Sequence, residues 1–104
     1  MNAEKFEEIV GKRLELVNSI FLHKAKEYAL GGDRLHNFKV ASRISGDTVA
    51  KALWGMAMKH LVSVTDLVDG LLEPTEEMVN EKVGDMINYL ILLEAVLKEG
   101  DTNG

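Results

Sequence analysis

Between Met86 and Leu97, apolar side chains face almost every direction around a helix. At about 100° per residue, Met86, Ile87, Leu90, Ile91, Leu92, Leu93, Val96 and Leu97 wrap most of the circumference. A helix that is apolar nearly all round must be buried nearly all round. Two other long helices in a chain of 104 residues cannot easily supply that cover. The pattern therefore predicts an all-α bundle of three long helices plus one short helix, completed by homo-oligomerisation. A second copy is the simplest source of the missing surface, as a dimer or a tetramer.

The rest of the chain is read against that helix. Phe6, Val10, Leu14, Val17 and Phe21 step by three or four, which predicts a first helix from about Asn2 to Leu30. Gly31-Gly32 ends it, because glycine tolerates a positive φ. Phe38 to Ile44 reads as a short helix closed by Ser45-Gly46. Asp47 or Thr48 caps a second long helix that reaches Val68 and stops at Gly70. Its core stripe is Leu53, Ala57, Leu61, Val64 and Val68, flanked by Trp54. Pro74, the one proline, suits the first turn of the third long helix, which runs to about Lys98 with Glu76 and Glu77 near its positive end. Residues 1–99 are read as a single domain and 100–104 as a disordered tail.

Several function classes are disfavoured. There is no cysteine, which removes disulfides and thiolate metal sites. No stretch approaches the roughly 18 apolar residues that span a bilayer, and Met1-Asn2-Ala3-Glu4-Lys5 has no signal-peptide profile. The expected location is the cytoplasm, with no membrane partner. A net charge of −5 argues against duplex DNA held by counterion release. That charge is uneven: residues 1–46 hold eight Lys/Arg and six Asp/Glu, whereas residues 47–104 hold four and eleven. Ordinary surface charge with pairing between subunits explains this. So does a site that meets phosphate with one half and a metal with the other.

Polar residues break the apolar pattern in three places. On the third long helix Glu81, Asp85 and Asn88 fall within about 60° of one another. Two carboxylates four residues apart can share a hard cation such as Mg²⁺; the plainer reading is an acidic, exposed helix start. On the second long helix Met56, Lys59, Ser63 and Asp66 share a face, with His60 beside them. Lys59 stands in a mostly apolar stretch, so it must snorkel, pair with Asp85 or meet a phosphate. His60 reads more readily as a packed or surface histidine than as a ligand. Asp66 and Asp69 can add carboxylates. Gly55 and Gly84, inside helices, suggest close approach of another helix or room for a ligand. The third place is the loop from Glu27 to Phe38. Tyr28 and Phe38 can sandwich a base, Asn37 can read its edge, and Arg34 and His36 can meet phosphate. Alternatively Tyr28 and Phe38 are core anchors, and Asp33 and Asn37 cap the short helix.

Taken in order, Lys24-x-x-Glu-Tyr28, Gly32-Asp-Arg-Leu-His-Asn-Phe38, Met56-Ala-Met-Lys-His60 and Glu81-Lys-Val-Gly-Asp-Met-Ile-Asn-Tyr-Leu90 resemble small phage and prophage proteins related to the MazG-like all-α nucleotide pyrophosphatases. The resemblance covers about residues 20–93. It implies helical subunits that dimerise or tetramerise, Mg²⁺ held by clustered acids, and cleavage of a nucleoside triphosphate to monophosphate and pyrophosphate. It assigns Glu81 and Asp85 to the second metal motif, although their spacing is Glu-x-x-x-Asp where the enzymes have Glu-x-x-Asp. The first motif, Glu-x-x-Glu, is missing from its expected helix, and Asp66-x-x-Asp69 is the nearest substitute. The implied enzyme uses Lys59 and Asp85 in catalysis, Glu81, Asp85 and Asp66 for the metal, and Tyr28, Arg34, His36, Asn37, Phe38, Lys59 and Asn88 for the nucleotide. Two other readings stand beside it. One is a non-catalytic protein that sequesters a nucleotide, an anti-defence sponge in the host cytoplasm. The other is a phage inhibitor that binds a host protein through the apolar third helix.

Overall fold

The computed structural model describes residues 1–27 and 32–100, with side chains described for 1–23 and 32–100. Four helices make up the described chain: α1 (Ala3–Glu27), α2 (His36–Ser45), α3 (Val49–Val68) and α4 (Glu76–Glu99). They form two compact units, residues 1–34 and 35–104. No described helix is long and apolar enough to cross a membrane.

The first unit is built on α1. Asn2 starts it, its Oδ1 accepting from the Lys5 N–H at 2.8 Å, which satisfies one of the free donors at a helix start. Along its apolar stripe Phe6, Val10 and Leu14 are exposed, and Val17 and Phe21 are half-buried. The expected end of this helix, Tyr28 to Gly31, lies outside the described residues, as does the tail 101–104.

In the second unit each corner has a local cause. Leu35, not Asp33 or Asn37, occupies the N-cap of α2 and makes no side-chain cap bond. What holds that end is burial, because Leu35 and Phe38 both enter the core. Gly46, at φ +76°, closes α2 in the left-handed conformation that glycine adopts without strain. Buried Ser42 then ties the corner, its Oγ donating to the Asp47 carbonyl at 2.6 Å while its own carbonyl accepts from the Gly46 N–H. Thr48 caps α3 through the Lys51 N–H, and Thr75 caps α4 through the Met78 N–H. Pro74 therefore stands just ahead of the cap of α4, two positions before the first residue of the helix it was expected to begin.

The core is Leu35, Phe38, Val49, Leu53 and Val96, edged by Ala50, Tyr89, Leu92 and Leu93. Helix α3 packs against both α2 and α4. Leu53, near the start of α3, meets Val96, near the end of α4, so the two helices run antiparallel. Leu53 is fully enclosed, and burying such a side chain contributes about 1.5–3 kcal/mol. The expected stripe along α3 is sealed only at its start. Leu53 and Ala57 are buried and Val64 is half-buried, but Leu61 is exposed and Val68 is 79% exposed. On α4, Leu90, Ile91 and Leu97 are likewise exposed, as is Trp54 on α3 at 40%.

Candidate functional site

The antiparallel register of α3 and α4 sets their middles against each other, and there the seam changes from apolar to polar. His60 of α3 lies beside Asp85 of α4, with Nδ1 3.4 Å from Oδ2. Its ring leans on that of Tyr89, one turn further along α4, at 4.8 Å between centroids and 32° between planes. Tyr89 and Phe38 of α2 in turn meet in a T-shaped contact, at 6.2 Å and 69°. A continuous row Asp85–His60–Tyr89–Phe38 thus runs from the half-exposed carboxylate into the core.

Asn88 stands on α4 between Asp85 and Tyr89 in sequence. It lies three residues beyond Asp85, on the same face of α4, and is 91% buried. Its Oδ1 is enclosed and has no hydrogen-bond partner. A buried acceptor left without a donor costs about 1–3 kcal/mol. Most buried polar atoms in native proteins are satisfied, so this one requires an explanation. Gly84, also buried, precedes it by one turn.

The residues singled out in the sequence fall into three groups. Asp85 and Asn88 sit together at the seam. Phe38 belongs to the core and meets Tyr89 in a T-shaped ring contact; this is the core-anchor alternative for Phe38. Lys59, next to His60, is exposed, and its carbonyl accepts from the Ser63 hydroxyl at 3.2 Å. The apolar stretch around it explains the difference, because Trp54, Met56, Met58, Leu61 and Val62 are themselves exposed. Lys59 therefore has no core to escape from. Glu81 is 55% exposed and pairs with Lys82 at 3.3 Å. Asp66 is half-buried at the end of α3, where its carbonyl accepts from the Leu71 and Leu72 N–H groups. His36 is half-buried and Asn37 exposed at the start of α2. Arg34 is exposed and belongs to the first unit. Tyr28 lies outside the described residues.

Among the described residues no group of three or more His, Asp or Glu side chains is arranged to hold a metal ion. Asp85 faces the His60 imidazole and Glu81 the Lys82 ammonium.

What the seam can do is hold a polar ligand. The carboxylate stands 3.4 Å from one ring nitrogen of the imidazole. The amide oxygen waits for a donor, and two aromatic rings supply an apolar flank. Sequence reasoning set His60 aside. A lone histidine on a helix carries no sign of its partner, and only the register with α4 reveals one. No protein family, curated protein or solved structure matches this chain.

Proposed function

We propose that this chain is a nucleotide-binding protein of the MazG-like kind, with the nucleotide held on the α3–α4 seam by His60, Asp85, Asn88 and Tyr89. The observation that carries the reading is the enclosed, partnerless Oδ1 of Asn88, three residues along α4 from the Asp85 that pairs with His60. A ligand N–H delivered to that oxygen removes a standing energetic cost, so the cost becomes binding energy. Exposed Lys59, one residue from His60, is available for the phosphates. The reading is one of binding; phosphate cleavage with Mg²⁺ is a separate question, put to the same sample.

Self-association belongs to this reading. Leu90, Ile91 and Leu97 of α4 are exposed in the single chain, and a second copy is the expected cover. The same residues favour, as the alternative, a module that binds a host protein.

The test is calorimetric titration of the full chain with nucleoside mono- and triphosphates, in EDTA and then in Mg²⁺, with released pyrophosphate measured in parallel. The expected result is saturable binding in EDTA that Asn88→Leu abolishes while the helical circular dichroism is retained. Absence of binding to any nucleotide in either buffer overturns the reading. Pyrophosphate release above that of Asp85→Ala extends it to hydrolysis.

A further inference from the structure

Helices α3 and α4 each carry a second apolar stripe that the chain does not cover. Trp54, Met58, Leu61, Thr65 and Val68 recur along α3 at alternating steps of four and three, and all of them are exposed. Val79, Val83, Met86, Leu90, Leu93 and Leu97 recur along α4 at the same steps, half-buried or exposed. Such spacing is that of a seam between paired helices. The seam within the chain is a different one, built on Leu53 and Val96. Counted from those two residues at about 100° per position, each outer stripe is centred about 100° round, in the same sense. In an antiparallel pair, equal turns in one sense bring both stripes to one side. The two helices therefore share a single open apolar face.

The size, symmetry and charge of that face point to its occupant. Trp54, Met58, Leu61, Val62, Val68, Leu90 and Leu97 are each between 37% and 79% exposed. Together they leave open on the order of 600 Å², the upper end of what a monomer shows in one patch, against roughly 800 Å² that each partner gives to a stable complex. The α3 stripe is centred on Leu61 and the α4 stripe at the level of Asn88. Contact of His60 with Tyr89 makes those midpoints level. One two-fold axis crossing both helices there lays each stripe, reversed, on its own copy, as a symmetric dimer requires. Lys51 and Asp69 lie just beyond the two ends of the α3 stripe, on its outer edge. Both are exposed, and neither forms an ion pair among the described residues. Reversal sets each Lys51 opposite the other copy's Asp69, whereas a parallel alignment opposes like charges. We propose that a second copy of the chain docks on this face, α3 antiparallel on α3 and α4 on α4, with Lys51 and Asp69 fixing the register. Docking of this kind rests on the self-association in the reading above and is independent of its nucleotide.

Sedimentation equilibrium of the full chain over a dilution series tests this, and a dimer is expected. Lys51→Glu is expected to weaken it about 10-fold or more, because both pairs become repulsive, and adding Asp69→Lys to restore association to within about 3-fold of wild type. The chain has no cysteine, so one introduced thiol reports one position. Leu61→Cys, beside the axis, is expected to yield a dimer with a short thiol cross-linker. Ala95→Cys, on the far side of α4, is expected to yield none. The cross-link reads the contact independently should Lys51→Glu lose its helical signal. A monomer at every concentration overturns the docking and leaves the face to a host protein or to α1. So does a dimer that Lys51→Glu leaves unchanged and that does not cross-link through Leu61→Cys. A dimer that binds no nucleotide supports the docking while the nucleotide reading falls; a monomer that binds one does the reverse.

Discussion

The two ends of the α3–α4 seam use the same pair of helices and reach opposite outcomes. At one end Leu53 and Val96 are sealed, with Leu92 and Leu93 around them. At the other, His60, Asp85 and Asn88 bring polar groups inward, and one of them is left without a partner. The first arrangement is complete in itself. The second leaves the Asn88 Oδ1 without a donor, which costs stability.

Substitutions sharpen or break that contrast. Leu53→Ala carries the largest expected effect, a loss of about 2–5 kcal/mol from the cavity left in the core, read as a fall in the denaturation midpoint in urea. Asn88→Leu is expected to move the other way. Removing an unpaired buried acceptor at similar volume raises the stability of the ligand-free chain by about 1–3 kcal/mol. If Asn88→Leu instead destabilises as Leu53→Ala does, the polar end is an internal network and the contrast fails. Ser42→Ala is expected to cost about 1–2 kcal/mol, since the Asp47 carbonyl loses its donor at the α2–α3 corner.

Gly55→Ala is smaller and diagnostic. A methyl at that position meets nothing within 4 Å, so the ordinary helix preference for alanine predicts a gain of about 1 kcal/mol. A loss, together with a smaller species in sedimentation, would instead mark Gly55 as the contact between copies. Smallest of all is Glu94→Gln. The Lys98 ammonium, hydrogen-bonded 2.6 Å away, holds the Glu94 carboxyl below its usual range. A lowered carboxyl pKa stabilises at neutral pH, and that contribution fades as pH falls through the folded-state value. The pair is fully exposed, and solvent screens it. Melting curves of wild type and variant are therefore expected to coincide from pH 7 down to pH 4.

The helices themselves were legible in the sequence. Periodic apolar positions and local stops located α2, α3 and α4 to within a few residues, and Thr48 was one of two proposed caps. Capping and periodicity act over one or two turns, so the local sequence contains them. Burial was less legible. Lys59 looked enclosed because its neighbours are apolar, yet those neighbours face outward. Phe38 looked available to a base, yet its ring completes the core. Of the seam, Asp85 and Asn88 were found because both lie on one helix at a spacing that can be counted. His60 was missed because its partnership depends on how far α3 is slid along α4, which neither helix encodes alone.

Trp54 offers a practical consequence. It is the only tryptophan in the chain, it follows directly on fully enclosed Leu53, and two-fifths of its own surface is open. Its fluorescence is therefore an intrinsic optical gauge with a single emitter: red-shifted while that face meets solvent, blue-shifted once another surface covers it. Dilution series can be followed at the emission maximum with no label attached.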